Sequence, residues 1–309
     1  MIPRALKESD ARLGPYALAG KNSIGRSPLK KYILQFIFAI TFLSSVLSPL
    51  ARAAGTEFPH YLDVNGRRYE AFQQKYPEMP FDLAAAYVNA DVDKGFYKDI
   101  QTVKKPDNLG VIINKNFALP SDWEPSGLVY IDGRRQLRKE AAEQFSAMKT
   151  AIEKEGLGLF VRSAYRSRSS QASSYNSLLN RYGAATADMN VARPGHSEHQ
   201  LGLALDLVHK AGTSGPLSSM GFGDSKSFAW LVENGHKYGF ILRYPKGLAE
   251  FHGYVYEPWH WRYVGPEIAT AMRDEGIATL EEYYGRHVAP GLSRPMQKTS
   301  PATTFGALR

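Results

Sequence analysis

The sequence predicts an α+β fold in which a small antiparallel β-sheet is flanked by helices. Helical patterns come mainly before and between short strand patterns, which is typical of α+β folds. The clearest helix is predicted over residues 136–155, where apolar residues recur every three or four positions and form one face. Leu203, Leu205 and Leu207 alternate with their neighbours, as expected of a strand with one apolar face.

The remaining elements are shorter and follow in chain order. Strands are predicted at residues 111–115, 159–163, 240–242 and 254–256. Further helices are predicted at residues 81–87, 169–182, 228–238, 267–274 and 280–284. Gly183 and Gly239 follow two of these helices, as expected of helix ends, and residues 183–198 are predicted to form a loop.

The composition is that of a globular protein with enough apolar residues for a sizeable core. The chain has 309 residues, of which 43% are hydrophobic and 22% are charged. It contains no cysteine, which excludes disulfides, thiolate metal sites and cysteine nucleophiles. Any metal ion must therefore be held by histidine and carboxylate side chains.

The positive charge of the chain is concentrated at its N-terminus. The formal net charge is +8, but residues 1–53 hold eight lysines and arginines against two acidic residues, so only +2 remains for the rest. A nucleic-acid-binding protein is expected to carry a basic patch on its folded domain. The charge balance gives that class no support, and we expect no nucleic-acid partner.

The N-terminal segment has the layout of an export signal. Lys30 and Lys31 precede an apolar stretch and an Ala-x-Ala site at residues 51–53. We expect residues 1–53 to be a signal peptide with a long basic leader, cleaved after Ala53, and the protein to be periplasmic or extracellular. An uncleaved membrane anchor is the alternative, since ~19 apolar residues can span a bilayer.

Three regions are predicted after the signal. Residues 54–105 are interpreted as an N-terminal extension and residues 106–288 as the main domain. Residues 289–309 are rich in proline, serine, threonine and basic residues, so we expect a disordered tail.

The first cluster of chemically active residues joins a histidine to an aspartate. His199 and Asp206 are seven positions apart, and an odd separation on a flat strand points two side chains to opposite faces. They converge only if the chain bends between them, and Gly202 allows that bend. An aspartate in an apolar strand is costly unless it is paired or binds a metal. A hydrogen-bonded aspartate and a loop histidine explain this cluster equally well.

A second cluster lies at residues 257–260. Pro258 cannot pair inside a sheet, so Glu257 and His260 are expected at the end of the predicted strand 254–256. An aromatic-rich turn is the equally compatible alternative. Together, however, the clusters supply two histidines and one carboxylate, a zinc ligand set with a fourth position open for water. Glu257 would then be a base that is not a ligand.

A third cluster, at residues 165–167, joins a predicted strand to a predicted helix. Arg166 at such a junction can point into a cleft and stabilise developing negative charge. Taken alone, Arg166 is better explained as a surface arginine.

These clusters, in this order, resemble the VanY-type zinc D,D-carboxypeptidases and the L,D-carboxypeptidases of the same peptidase family. The motifs Ser-x-His-x-x-Gly-x-Ala-x-Asp and Glu-x-x-His are intact at residues 197–206 and 257–260. The Tyr-Arg-Ser signature matches residues 165–167. The resemblance extends from about residue 114 to residue 265.

The resemblance implies a single zinc-peptidase domain that holds one Zn²⁺ ion. His199, Asp206 and His260 would bind this ion. Glu257 would be the catalytic base, and Arg166 would contact the scissile carbonyl or the terminal carboxylate. Four further side chains are expected to bind substrate: Ser197, Gln171, Tyr165 and Trp259.

The implied function is hydrolysis of the terminal D-Ala-D-Ala bond of peptidoglycan stem peptides by a monomeric enzyme. An L,D-carboxypeptidase and a peptidoglycan endopeptidase are alternatives, because the motifs describe the zinc site and not the substrate pocket. A non-catalytic peptidoglycan-binding module is the alternative from another class. A module of that kind has no need of a base beside the metal, and Glu257 therefore favours an enzyme.

Overall fold

The computed structural model describes residues 59–209 and 220–289, which lie in one compact unit, Ala53–Arg309. The predicted signal peptide at residues 1–53 and, apart from Ala289, the predicted tail lie outside the described residues. None of the described helices is long and apolar enough to cross a membrane.

The described residues form helices and short strands in a mixed order. The helices are α1 (Gly66–Lys75), α2 (Phe81–Asn89), α3 (Lys139–Lys154), α4 (Arg168–Asn190), α5 (Lys226–Asn234), α6 (Ala249–His252), α7 (Pro266–Asp274) and α8 (Leu280–Tyr283). The strands are β1 (Gln101–Thr102), β2 (Phe117–Ala118), β3 (Leu128–Tyr130), β4 (Gln136–Arg138), β5 (Leu159–Ser163), β6 (Ala204–His209), β7 (Phe240–Leu242) and β8 (His260–Tyr263).

The central sheet is antiparallel throughout and has the strand order β5-β6-β8-β7. This sheet and the surrounding helices confirm the predicted α+β class. Strands β3 and β4 form a separate antiparallel pair, whereas β1 and β2 pair in parallel over two residues. The parallel pair was not predicted, because its partners lie sixteen positions apart with no short turn between them.

The main core lies between helix α3 and the central sheet. The leucines predicted to form the apolar face of β6 are fully buried, and they share one cluster with the apolar face of α3. That face comprises Ala141, Phe145, Met148 and Ile152, all 4% exposed or less. Periodicity therefore predicted both surfaces of this interface correctly. The predicted helix began three residues early, since residues 136–138 pair with β3 as strand β4.

Two predicted strands are wrong. Residues 111–115 form no strand. The Arg262 guanidinium donates hydrogen bonds to the carbonyls of Leu109 and Val111. The Asn114 side chain accepts from the backbone amides of Asn116 and Phe117, which turns the chain. Residues 254–256 also form none. The amide of Val255 donates to the carbonyl of Met189, whereas the amide of Glu257 donates to the carbonyl of Tyr244. Because these acceptors belong to separate segments, no ladder of strand hydrogen bonds forms. The strand comes later, at β8.

The segment after Gly183 also differs from the prediction. Residues 184–190 were predicted as loop, but they are helical and belong to α4, which is kinked at Gly183 with φ +79°. Helix α1 was not predicted. The apolar residues of α1 and α2 form a cluster of their own, and α2 packs against the π-helical segment Tyr284–Val288. The division into an extension and a main domain stays a prediction.

The predicted bend before β6 is present. A short helical turn, Glu198–Leu201, is closed by Gly202, which has φ +68° and donates its amide hydrogen to the His199 carbonyl. The backbone of Arg138 donates to the Gly202 carbonyl, so the bend is also tied to β4. This bend allows His199 and Asp206 to lie on the same side of the sheet.

Replacing Gly202 by alanine should destabilise the protein more than an equivalent change elsewhere. An added Cβ at Gly202 would lie 2.8 Å from Leu128 Cδ2, on a left-handed backbone. At Gly133, with φ +77°, it would meet no described atom within 4 Å. In urea unfolding we expect Gly133→Ala to lower the free energy of unfolding by about 1–2 kcal/mol. Gly202→Ala should lose a further ~1–3 kcal/mol from the clash. Equal losses would contradict the close packing of this bend.

Candidate active site

Three elements bring the predicted metal ligands together. His199 lies on the turn before β6, Asp206 lies in β6, and His260 begins β8 directly opposite Asp206 in the strand register. Both imidazoles face one carboxylate oxygen, because His199 Nε2 and His260 Nδ1 each lie 3.3 Å from Asp206 Oδ1. One ligand atom from each residue lies within 4.8 Å of the others.

The chemistry of this group fits a metal ion. All three residues are 5% exposed or less. Within the part of the chain that the structure describes, His199 Nε2 and Asp206 Oδ1 make no hydrogen bond, although they face each other. Buried polar atoms without partners cost about 1–3 kcal/mol each. A cation between two imidazole nitrogens and a carboxylate would satisfy them, and this is a zinc ligand set.

The other nitrogen of each imidazole is held from behind. His199 Nδ1 donates to the Ala164 carbonyl at 2.6 Å, which leaves the Nε2 lone pair pointing at the centre. His260 Nε2 lies 3.3 Å from Glu198 Oε2, which leaves Nδ1 for the centre. Metal-binding histidines usually have this arrangement, in which a second hydrogen bond fixes the tautomer and the ring orientation.

Sequence reasoning missed Glu198. This carboxylate is 1% exposed and accepts hydrogen bonds from Arg243 Nε at 2.7 Å and Arg262 Nη1 at 2.9 Å. Burial by itself would raise the pKa of Glu198, but the two guanidiniums outweigh burial and hold the pKa well below its usual range. Glu198 is therefore an ionised acceptor behind His260. Its position beside His199 was the available signal, but its arginines lie 45 and 64 positions away.

The two histidines have different protonation tendencies. Burial, with the nearby Arg166, lowers the pKa of His199 to about 4, so this imidazole is neutral and available as a ligand. Burial also opposes the charged form of His260, but the Asp206 and Glu198 carboxylates outweigh it and raise the pKa to about 9. A metal ion would take the place of that proton at the centre.

Glu257 lies beside the ligand group and not within it. Its Oε2 is 3.8 Å from His260 Nδ1, and the residue is 7% exposed. Burial is the main cause that raises the pKa of Glu257 to about 7; His260 opposes the rise and Asp206 adds to it. A buried carboxyl with a pKa near neutrality suits a group that exchanges protons with water.

Arg166 also faces the ligand group, through Asp206. Its backbone amide donates to the His199 carbonyl at 3.1 Å, which fixes the chain beside the ligand turn. Its Nη1 donates to Gln171 Oε1 at 3.0 Å, and its Nη2 lies 3.8 Å from Asp206 Oδ2. Gln171 is itself held by a bond to the Ala192 carbonyl at 2.7 Å. The buried Nε of Arg166 makes no hydrogen bond to any described atom.

Asp206, His260, Glu257 and Arg166 open onto a cavity of about 340 Å³, whereas His199 does not line it. Most of the residues predicted from the sequence line it: Arg166, Gln171, Ser197, Asp206, Glu257, Trp259 and His260. Tyr165 does not, because neighbouring residues of an extended segment point in opposite directions and Arg166 takes the inward side. Tyr244 and Tyr254 also form part of the wall, although sequence reasoning did not select them.

Comparison with known sequences identifies relatives of this chain. The family model of VanY, described as D-alanyl-D-alanine carboxypeptidase, matches residues 134–266, which include all three motifs. YodJ of Bacillus subtilis (strain 168) is 38% identical over 213 residues, covering 66% of this chain and 76% of YodJ. VanXYC of Enterococcus gallinarum, a bifunctional D-Ala-D-Ala dipeptidase and carboxypeptidase, is 36% identical over 181 residues, covering 56% and 92%.

Solved structures show the same similarity. The LdcB LD-carboxypeptidase superposes with a TM-score of 0.56 at 37% identity, covering 61% of this chain and 91% of LdcB. VanYB in complex with D-Ala-D-Ala superposes with a TM-score of 0.51 at 30% identity, covering 58% of this chain and 98% of VanYB. VanY from the VanB-type resistance cassette, solved with Zn(II), superposes with a TM-score of 0.50 at 31% identity, covering 56% of this chain and 97% of that VanY chain. On its motifs, its sequence relatives and its fold, this chain belongs to the VanY family of peptidases.

Proposed function

We propose that this protein is a zinc-dependent carboxypeptidase that releases the terminal D-alanine from peptidoglycan stem peptides. The observation that carries the proposal is the buried group of His199, Asp206 and His260, with the Glu257 carboxylate beside it at the wall of a cavity. The relatives support this substrate class, since VanYB was solved with D-Ala-D-Ala and LdcB is described as recognising peptidoglycan.

The protein's own groups account for the proton transfers. A zinc ion held by His199, Asp206 and His260 would act as a Lewis acid toward water and carbonyl groups. Glu257 accepts one proton from the attacking water and passes it to the nitrogen of the departing D-alanine. The C–N bond breaks, the water oxygen becomes part of the new carboxyl group, and the remaining proton of the water passes to the amine or to solvent, which leaves a carboxylate. Arg166, oriented by Gln171, faces the negative charge that develops on the carbonyl oxygen.

We infer D,D specificity as the first candidate. The matching family model and VanXYC both carry D-Ala-D-Ala in their descriptions. The similarity to the LdcB LD-carboxypeptidase supports L,D hydrolysis as the second candidate. We also propose that the predicted export signal delivers the enzyme to the compartment that contains the cell wall.

Changing Glu257 to glutamine should slow turnover strongly without removing zinc. The amide keeps the shape of the side chain but cannot accept the proton, so we expect kcat to fall by about 10²–10⁴. His199→Ala should instead lose the zinc, and a chelator should silence the unchanged protein. Glu250→Gln is the matched control, because that carboxylate bonds to Lys75 and Tyr76 at the surface. D-alanine release and zinc content per chain would be measured; zinc loss in Glu257→Gln would contradict its role as a non-ligand base.

Changing Glu198 to glutamine should weaken zinc binding. His260 would lose the carboxylate behind its Nε2, and changes of this kind reduce metal affinity by about 10- to 100-fold. Glu281→Gln is the matched control, because Glu281 belongs to the same buried network through Arg243 but does not contact His260. Competition with a zinc-binding dye would give both affinities. Equal losses in the two variants would show that network damage, not the contact with His260, weakens the site.

The two candidate specificities can be separated with two synthetic substrates. A pentapeptide stem ends in D-Ala-D-Ala, whereas a tetrapeptide stem ends in a single D-alanine after an L-centre. We expect zinc-dependent D-alanine release from the pentapeptide to exceed release from the tetrapeptide about 10-fold or more. The reverse preference would establish L,D hydrolysis. Release from neither stem by the zinc-loaded full-length protein would favour an endopeptidase or a binding module.

A further inference from the structure

The pairing of β5 with β6 contains a bulge beside the metal group. Val161 lies opposite Leu207, but Ser163 lies opposite Asp206, so Arg162 is the extra residue of β5. Bulges often re-aim a side chain next to an active site. Both Arg162 and Ser163 consequently line the cavity.

The Arg162 guanidinium is held over the site by two neighbours. Its Nη2 lies 3.5 Å from Asp206 Oδ2, and its Cζ lies 5.6 Å from the centre of the Trp259 ring. The Arg166 guanidinium lies 3.8 Å from the same oxygen, so the two cations are neighbours. The Arg162 side chain is 45% exposed and that of Arg166 is 24% exposed, which places Arg162 nearer the mouth of the cavity.

The cavity has an excess of positive charge once a divalent metal is bound. Its negative charges are Asp206 and Glu257, since the third carboxylate in the wall, Glu198, is neutralised by two arginines outside the cavity. Its positive charges are Arg162, Arg166 and the two charges of the metal. The balance is therefore +2. A peptide undergoing exopeptidase hydrolysis supplies two negative charges, one developing on the carbonyl oxygen and one fixed on the terminal carboxylate.

We propose that Arg162 binds the C-terminal carboxylate of the peptide, one residue beyond the bond that Arg166 addresses. This inference rests on the proposed carboxypeptidase function. The terminal carboxylate lies one residue, or ~3.8 Å in Cα spacing, from the scissile carbonyl. The two guanidiniums lie 3.5 Å and 3.8 Å from the same oxygen of Asp206, so adjacent groups of one bound peptide can reach both. An arginine fork suits a carboxylate because it can donate two parallel hydrogen bonds.

A carboxylate subsite at Arg162 has a consequence for specificity. A peptide whose chain continues past the scissile bond, or whose end is amidated, offers no terminal carboxylate to Arg162. Arg162 would therefore select the free end of a stem peptide over an internal cross-bridge. Because it recognises a charge on substrate, it is a specificity-determining residue that acts separately from Glu257 and the metal ligands.

The test compares one pentapeptide as its free acid and as its C-terminal amide, using the zinc-loaded full-length protein. We expect Arg162→Gln to lower kcat/KM for the free acid by about 10- to 100-fold and to change the amide little. Arg162→Lys should recover part of the preference for the acid, since it keeps the charge. Arg134→Gln is the matched control, because it removes one exposed arginine outside the cavity.

Each outcome decides the inference. Collapse of the acid-to-amide ratio in Arg162→Gln, with zinc content unchanged, would support the carboxylate subsite. Equal losses on both substrates would overturn it, and reduced zinc content would then show that Arg162 serves to hold Asp206. A wild-type protein that cleaves acid and amide equally would also overturn it. A wild-type protein that releases no D-alanine from any stem peptide would overturn the proposed function, and this inference with it.

Discussion

The burial of Asp206 inside an apolar strand is the constraint on which the site depends. A buried carboxylate is stable only when its charge is compensated, and here two imidazoles and two guanidiniums converge on it. The two oxygens have separate tasks. Oδ1 faces both histidines, while Oδ2 faces both arginines. Under the proposed function, this one side chain in the centre of the sheet would separate the metal ligands from the arginines that face the peptide.

A second buried acid supports this arrangement from behind. Glu198 holds His260 and is held in turn by Arg243 and Arg262, and Arg243 makes two further bonds to Glu281 on α8. Desolvation makes such ion networks weak sources of net stability, but the removal of one member leaves an uncompensated buried charge. The network therefore acts mainly by fixing positions, because it ties the first residue of β8, His260, and its tautomer to α8.

The sequence predicted the parts of this molecule that depend on local pattern. Alternation identified β6, periodicity identified the apolar face of α3, and Gly202 predicted the bend that brings His199 to Asp206. Features that depend on distant pairing were missed. Glu198 could not be recognised without its arginines, and the bulge at Arg162 is a property of strand register rather than of any one residue. The strand predicted at 254–256 failed for the same reason, since its amides bond to separate segments.

The contrast between local pattern and distant pairing also explains why the zinc motifs do not identify the substrate. Every residue of the zinc motifs lies on the turn before β6, on β6 itself, or around the start of β8. The cavity is also lined by Ser174, in the first half of α4, and by residues 190–192, at the end of α4 and just beyond it. Residues 190–192 follow the kink at Gly183, and neither they nor Ser174 belong to a zinc motif. Substitutions at these positions can change the shape of the cavity while Asp206 and its neighbours stay in place. The zinc motifs alone therefore do not determine which peptide the cavity accepts.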